Sequence, residues 1–302
     1  MPAPGPNRQT VGYLRRRFQE VGLEPASRHG QNFLIDMNLQ QLLVDSAELE
    51  PCDVVLEVGT GTGALTALAS QRAAAVITVE IDERLQIVAS EELFDHENVT
   101  MLRGDALKNK NSFAPMVIDT VGEKMAEAEG RRFKLVANLP YNVATPVISN
   151  LLSSPILPYS MTVTIQKELA ERMMAVPSTK DYSALSIWMQ SQCDIELVRI
   201  MAPTVFWPRP KVDSAIIHVR VNEEKRARIP DLAFFHEFVR SMFFHRRKFL
   251  RSVLVAAMKK RLGKPEIDEV MEEMGFNADT RAEQLDVDTM LRLCEAVRRR
   301  LS

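Results

Sequence analysis

From Asp53 onward the chain alternates short apolar runs with amphipathic stretches. Asp53–Val58 reads as a buried strand, Ala64–Arg72 as a helix, Ala75–Asp82 as a strand and Glu83–Phe94 as a second helix. Val99–Arg103 and Lys134–Asn138 supply the next two strands, and the less patterned Asn109–Arg132 between them predicts a helix with a loop insertion. Thr145–Leu152 is helical, Met161–Gln166 a strand, and Lys167–Ala175 and Tyr182–Gln192 helices. Ile195–Met201 and Ser214–Val221 are strands around a proline-rich loop. Upstream, Leu39, Leu42, Leu43 and Ala47 recur at helical spacing, with Pro51 after the stop. Seven strands, the first five alternating with helices, predict an α/β fold: a doubly wound parallel sheet whose last two strands form an antiparallel hairpin.

After Val221 the strand pattern ends. Asn222–Arg228 is a charged linker, and Phe234, Phe235, Phe238, Val239, Met242 and Phe243, then Phe249, Leu250, Val253, Leu254, Ala257 and Met258, mark two amphipathic helices. Glu266–Met274 and Val287–Arg300 add two more. The expected organisation is therefore an α/β domain over 1–221 and a smaller all-helical domain over 222–302.

Composition narrows the class. With 46% apolar and 26% charged residues the chain is neither disordered nor fibrous, and a formal charge of −2 excludes a uniformly basic nucleic-acid coat. That total is unevenly spread: residues 222–302 hold 17 basic against 14 acidic side chains, and 240–264 hold nine cations and no acid. Three widely spaced cysteines offer neither a disulfide framework nor a zinc ribbon, so a reducing compartment and no metal are expected. No apolar run is long enough to span a bilayer, and the polar, proline-rich first ten residues do not read as an export signal. The expectation is a cytoplasmic monomer with no membrane attachment.

The strand over 53–58 runs straight into Gly59-Thr60-Gly61-Thr62-Gly63 and a helix. Three glycines let the backbone turn tightly and approach a ligand at the carboxyl edge of the sheet. No G-x-x-x-x-G-K-[ST] is present, which removes the phosphate-gripping lysine of a nucleotide hydrolase. Glu80 closes the next strand, 21 residues after Gly59, where its carboxylate can accept from both hydroxyls of a ribose. Asp105, past the third strand, is placed for an adenine amino group. Acid-x-Gly-x-Gly-x-Gly followed by these two acids is the pattern of S-adenosylmethionine binding in class I methyltransferases.

Asn138-Leu139-Pro140-Tyr141 ends the fourth strand and has the form of the N-P-P-Y motif of nucleobase amino-methyltransferases. An exocyclic amine is a poor nucleophile because its lone pair is delocalised into the ring. Side-chain and backbone carbonyls from Asn138 and from Leu139 or Pro140, accepting from the amine, would bias the nitrogen toward tetrahedral geometry. Tyr141 would stack on an extruded base.

Together, His29–Leu34 (HGQNFL), Glu57–Gly63, Asn138–Asn142 (NLPYN), Phe206–Ala215 (FWPRPKVDSA), Phe244–Ser252 (FHRRKFLRS) and Met274–Gln284 (MGFNADTRAEQ) resemble the KsgA/RsmA family of small-subunit ribosomal RNA adenine N6,N6-dimethyltransferases, over about residues 12–300. Two departures, Ala137 for the commoner glycine and GTGTG for GPGxG, are small. The resemblance implies a class I methyltransferase fold, S-adenosylmethionine as methyl donor, and cofactor contacts at Asn32, Leu34, Gly59, Glu80, Asp105 and Asn138. It implies that Phe206 forms the second wall of the adenine pocket opposite Tyr141. It further implies that the substrate is a pair of adjacent adenosines in the 3′-terminal hairpin loop of 16S rRNA, during small-subunit biogenesis.

The cationic helix beginning near Arg246, with Arg246, Arg247, Lys248 and Arg251, is the expected RNA surface. Arg209 and Lys211, on a loop stiffened by two prolines, also suit RNA contact, and Arg15–Arg17 with Arg28 form a further basic patch. Two other readings remain: an Erm-type 23S rRNA adenine methyltransferase, against which the 274–284 segment and NLPY rather than NIPY weigh, and a methyltransferase-fold binding factor in ribosome assembly or transcription.

Overall fold

The computed structural model describes residues 10–24 and 31–301; His29 and Gly30 of the HGQNFL segment, Arg28 and the first nine residues lie outside them. The chain divides into two compact units, Met1–Ala170 with Glu196–Arg220, and Glu171–Ile195 with Val221–Ser302. The composition change at Val221 marks one boundary, but Glu171–Ile195, which the strand-and-helix alternation assigned to the sheet domain, groups with the C-terminal helices.

The first unit is built on strands β1 (Phe33–Leu34), β2 (Asp53–Val58), β3 (Ala75–Glu80), β4 (Val99–Arg103), β5 (Leu107–Asn109), β6 (Ser112–Phe113), β7 (Arg132–Asn138), β8 (Ser160–Gln166), β9 (Cys193–Met201, whose residues up to Ile195 group with the other unit), β10 (Phe206–Trp207) and β11 (Ser214–Val221, whose last residue does). Seven of them form one sheet in the order β4-β3-β2-β7-β8-β11-β9. β4, β3, β2, β7 and β8 are parallel, and β11 runs antiparallel to β8. Every residue of β2 and β3 is buried, as expected of parallel strands covered on both faces.

Helices α1 (Val11–Glu20), α2 (Met37–Ser46), α3 (Ala64–Ser70), α4 (Glu83–Glu92), α5 (Pro115–Ala126) and α6 (Ala144–Leu151) complete this unit. α5 packs on β2, β3 and β7, α4 on β3 and β4, and α2 on β8. Strand order reverses at β2, between β3 and β7, which opens a crevice at the carboxyl edge there.

Three local features depart from the expected pattern. Asn109–Arg132 is a small β5–β6 hairpin followed by α5, whose first helical residue, Pro115, needs no hydrogen-bonded N–H. The basic segment around Arg15 is a helix: Leu14 and Phe18, one turn apart, are buried against Leu23, Phe33 and Leu85. β1 pairs with β10, Phe33 opposite Trp207 and Leu34 opposite Phe206, a link across some 170 residues that no local periodicity could announce.

At the amino end of the sheet Asp53 is fully buried. It accepts from Arg132 Nε at 2.8 Å and from the Glu50 N–H at 2.8 Å, and pairs with Lys134 Nζ at 2.9 Å. Lys134, 2% exposed, also donates to the carbonyls of Ala47 and Glu48.

The second unit contains α7 (Lys167–Met174, whose first turn lies in the other unit), α8 (Ala184–Gln190), α9 (Glu223–Ala227), α10 (Leu232–Phe243), α11 (Leu250–Met258), α12 (Lys264–Glu273) and α13 (Val287–Arg299). The stretch read as a charged linker is thus largely α9, capped by Asn222, whose side chain accepts from the Lys225 N–H. The core comes from the predicted stripes: Phe235, Phe238, Val239 and Met242 of α10, which packs against α8, α11 and α13. Burying each such side chain contributes about 1.5–3 kcal/mol.

Candidate active site

The glycine loop lies at the crevice. Gly59 and Gly61 have φ of +89° and +58°, which a side chain would strain, and their surroundings leave no room for one. A Cβ at Gly59 would come within 3.2 Å of Pro140, and one at Gly61 within 3.3 Å of the Phe33 ring. The loop is therefore held between the NLPY turn on one side and the β1 strap on the other.

One pocket at this edge is lined by Asn32, Leu34, Glu57, Gly59, Gly61, Glu80, Asp105, Asn138, Leu139 and Pro140 among others. All six residues expected to contact the cofactor thus line a single cavity. Glu80, 6% exposed, accepts from the Gly61 N–H through Oε2 and from the Asp82 N–H through Oε1, each at 2.9 Å. Burial raises its pKa, against the lowering effect of those N–H groups. Asp105 is exposed, and its Oδ1 accepts from the Leu107 N–H at 2.9 Å, fixing the side chain at the pocket rim.

Glu57 is the leading acid of the glycine motif, and its sequence position alone assigns it no separate role. It is fully buried beneath the loop and accepts from the hydroxyls of Thr66 and, at 2.8 Å, Thr78; Thr78 in turn contacts Thr60 Oγ1 at 2.6 Å. No cation offsets the burial, which pushes this carboxyl up to about 8. Burial and the threonine hydroxyls around it were the missing signal, and both are tertiary.

In the NLPY turn, Asn138 Nδ2 donates to the Asn32 carbonyl at 2.9 Å. One N–H of the amide is thereby used, which fixes the orientation in which Oδ1 is presented as the acceptor. The Leu139 N–H donates to the Thr164 carbonyl at 3.2 Å, and the Pro140 carbonyl accepts from the Val143 N–H at 3.1 Å. Tyr141 is half-buried, and its hydroxyl lies 2.5 Å from Ser214 Oγ.

Phe206 does not line this pocket. Only 2% exposed, it packs in the core with Leu34, Met201 and Ile216, because its pairing with Leu34 holds β10 down beneath the strap. Tyr141 does not line this pocket either, so both side chains expected to flank the adenine lie outside the cofactor cavity. Trp207 packs against Phe18, ring centroids 5.6 Å apart, as a buried anchor would, with the Arg15 guanidinium over its face.

The expected RNA surface divides in two. Arg247 and Lys248 are exposed, and no ion pair involving either is found among the described residues. Arg246 Nη1 instead donates to the carbonyls of Lys180 and Tyr182, at 2.7 and 3.3 Å, and Arg251 forms a two-pronged pair with Asp268 at 2.5 and 2.8 Å. Asp268 lies four residues past the acid-free run, on the next helix, so the run is less unbalanced in space than in sequence. No cluster of metal-ligating side chains occurs among the described residues, and no helix there is long and apolar enough to cross a membrane.

The profile of the ribosomal RNA adenine dimethylase family matches residues 24–298. The chain is 41% identical to ribosomal RNA small subunit methyltransferase A of Listeria monocytogenes, covering 94% of each chain. It is 35% identical to the protein of the same name from Clostridium acetobutylicum, covering 94% of this chain and 98% of that one. Among solved structures, a dimethyladenosine transferase from Plasmodium falciparum superposes with a TM-score of 0.71 at 24% identity, over 88% of this chain and 97% of that one. The 23S rRNA methyltransferase ErmE gives 0.61 at 25% identity, over 88% and 100%. The fold is that of class I methyltransferases.

Proposed function

The chain belongs to the ribosomal RNA adenine dimethylase family, and from that premise we propose that it transfers methyl groups from S-adenosylmethionine to N6 of adenosine in small-subunit ribosomal RNA. The finer target is two adjacent adenosines of the 3′-terminal hairpin loop of 16S rRNA, each dimethylated during subunit biogenesis by a monomeric enzyme of the cytoplasm. The observation that carries the reading is the Asn138 amide, oriented by the Asn32 carbonyl at the rim of a pocket that also holds Gly59, Glu80 and Asp105.

The pocket suits the donor. The glycine loop leaves a cradle that a Cβ would narrow, Glu80 stands where a ribose diol would bond, and Asp105 where an adenine amino group would. Asn32 and Leu34 of the strap cover the same space. When bound, S-adenosylmethionine supplies an electrophilic methyl group on a sulfonium.

The chain's own residues act on the acceptor. Asn138 Oδ1 accepts one N6–H. The Pro140 carbonyl is taken up by Val143, so the Leu139 carbonyl is the better placed acceptor for the second. Two acceptors turn the nitrogen lone pair out of the ring plane and toward the methyl group. No strong base is needed, because the N6 proton becomes acidic once nitrogen is alkylated and passes to water. Positioning of this kind lowers barriers by roughly 7–11 kcal/mol in favourable cases. Tyr141 stacks on the extruded base, at about 1–3 kcal/mol per base, with Phe206 supporting the strap from below rather than forming a wall. Arg247 and Lys248 contact RNA phosphates, while Arg246 and Arg251 brace the segment that presents them.

Tritiated S-adenosylmethionine offered to undermethylated 30S subunits, 50S subunits and naked 16S rRNA tests the assignment. Incorporation into 30S subunits is expected. Label in 50S material alone would make the chain an Erm-type enzyme, and label in none would make it a binding factor.

A further inference from the structure

Tyr141 needs more than a position in sequence to serve as a stacking platform: its ring must be held at one angle while a base slides against it. The ring hangs from the turn between β7 and α6 and is only half-buried, so packing alone does not fix it. Its hydroxyl, however, meets Ser214 Oγ at 2.5 Å. Ser214 is fully buried as the first residue of β11, and its backbone is locked by pairing opposite Gln166 of β8, just past the end of the proline-stiffened loop. The next residue back, Asp213, accepts through its carbonyl from the Lys167 N–H at 3.0 Å, so the anchor is rigid on both sides. Among the described residues no other hydrogen bond to the Tyr141 hydroxyl is found.

We propose that Ser214 is a positioning residue for methyl transfer, fixing the Tyr141 ring through this hydroxyl–hydroxyl bond so that the target base stacks at the angle that brings its amine to Asn138. The inference rests on the reading of Tyr141 as the stacking side chain. Burial raises the phenol pKa, so the hydroxyl stays protonated and able to donate across neutral pH. The bond costs nothing to cofactor binding, because neither partner lines the cofactor pocket. Its effect should therefore fall on the acceptor step alone.

The test compares Ser214→Ala, Tyr141→Phe, the double variant and Tyr141→Ala on 30S subunits, with unfolding free energy and S-adenosylmethionine affinity measured on each. Ser214→Ala and Tyr141→Phe remove the same bond from opposite ends, so each should lower kcat about five- to tenfold, and the double variant no further. Cofactor affinity should stay at its wild-type value, unfolding free energy should fall by no more than the roughly 0.5–1.5 kcal/mol of one hydrogen bond, and Ser214→Thr, which keeps a hydroxyl, should recover part of the lost turnover. Wild-type kcat in Ser214→Ala, or losses that multiply in the double variant, would overturn the proposal while a dead Tyr141→Ala still upheld the stacking role. Wild-type turnover in Tyr141→Ala would overturn both.

Discussion

β2 carries one buried carboxylate near each end, and the two are treated in opposite ways. Asp53, at the amino end, meets Arg132, Lys134 and the Glu50 N–H, so its charge is matched by cations brought up by the neighbouring strand β7. Glu57, one residue from the carboxyl end, meets only threonine hydroxyls and faces the pocket. Burial is equal, surroundings are not. One end of the sheet serves folding and the other a ligand: a buried acid given cations holds strands together, whereas one given hydroxyls beside a cavity is held at a cost that folding alone does not require.

If that division is right, substitutions at the two ends should register in different measurements. Asp53→Asn should register as stability. It leaves Lys134 buried beside backbone carbonyls without its carboxylate, and removing one partner of a buried pair costs about 3–5 kcal/mol. Denaturant unfolding should show a loss of that order, with turnover per folded molecule unchanged. A loss below about 1 kcal/mol would break the comparison at its structural end.

Glu57→Gln is the milder counterpart. With its pKa raised from 4.5 to about 8, native Glu57 holds a proton that the unfolded chain releases, so the native state binds more protons throughout that interval. Stability from this group is then highest below pH 4.5 and declines as pH rises toward 8. Glutamine keeps the acceptor for Thr66 and Thr78 and has no charge to desolvate. The variant should therefore gain unfolding free energy relative to wild type as pH increases from 5 to 8, by about a few kcal/mol at most. Parallel pH profiles for the two proteins would show that Glu57 does not carry the proton.

The sequence made the carboxyl end legible because its determinants are local. Gly59–Gly63, Glu80, Asp105 and Asn138 each follow a strand of readable pattern, and a parallel sheet brings strand ends together whatever the side chains are. What it concealed depends on distant partners. The wall role of Phe206 comes from the family resemblance and not from its loop, and the pairing with Leu34, 172 residues away in sequence, is what buries it. Arg251 looked like a free cation until α12 placed Asp268 against it, and Arg246 until the carbonyls at Lys180 and Tyr182 did the same. The α1 stripe of Leu14 and Phe18 was masked by the run of arginines between them. The strand alternation placed Glu171–Ile195 with the sheet, since helix periodicity says nothing about which core a helix joins.

The role proposed for the carboxyl edge is to position an adenine amine of small-subunit rRNA for methylation, through Asn138. Nucleoside mass spectrometry of 16S rRNA from undermethylated 30S subunits, incubated with wild type and with Asn138→Ala at saturating S-adenosylmethionine, tests it most directly. N6,N6-dimethyladenosine is expected with wild type, and formation slower by at least about a hundredfold with Asn138→Ala although the variant still binds the cofactor. Dimethyladenosine formed by Asn138→Ala at near wild-type rate, or its absence from the wild-type reaction, would contradict it.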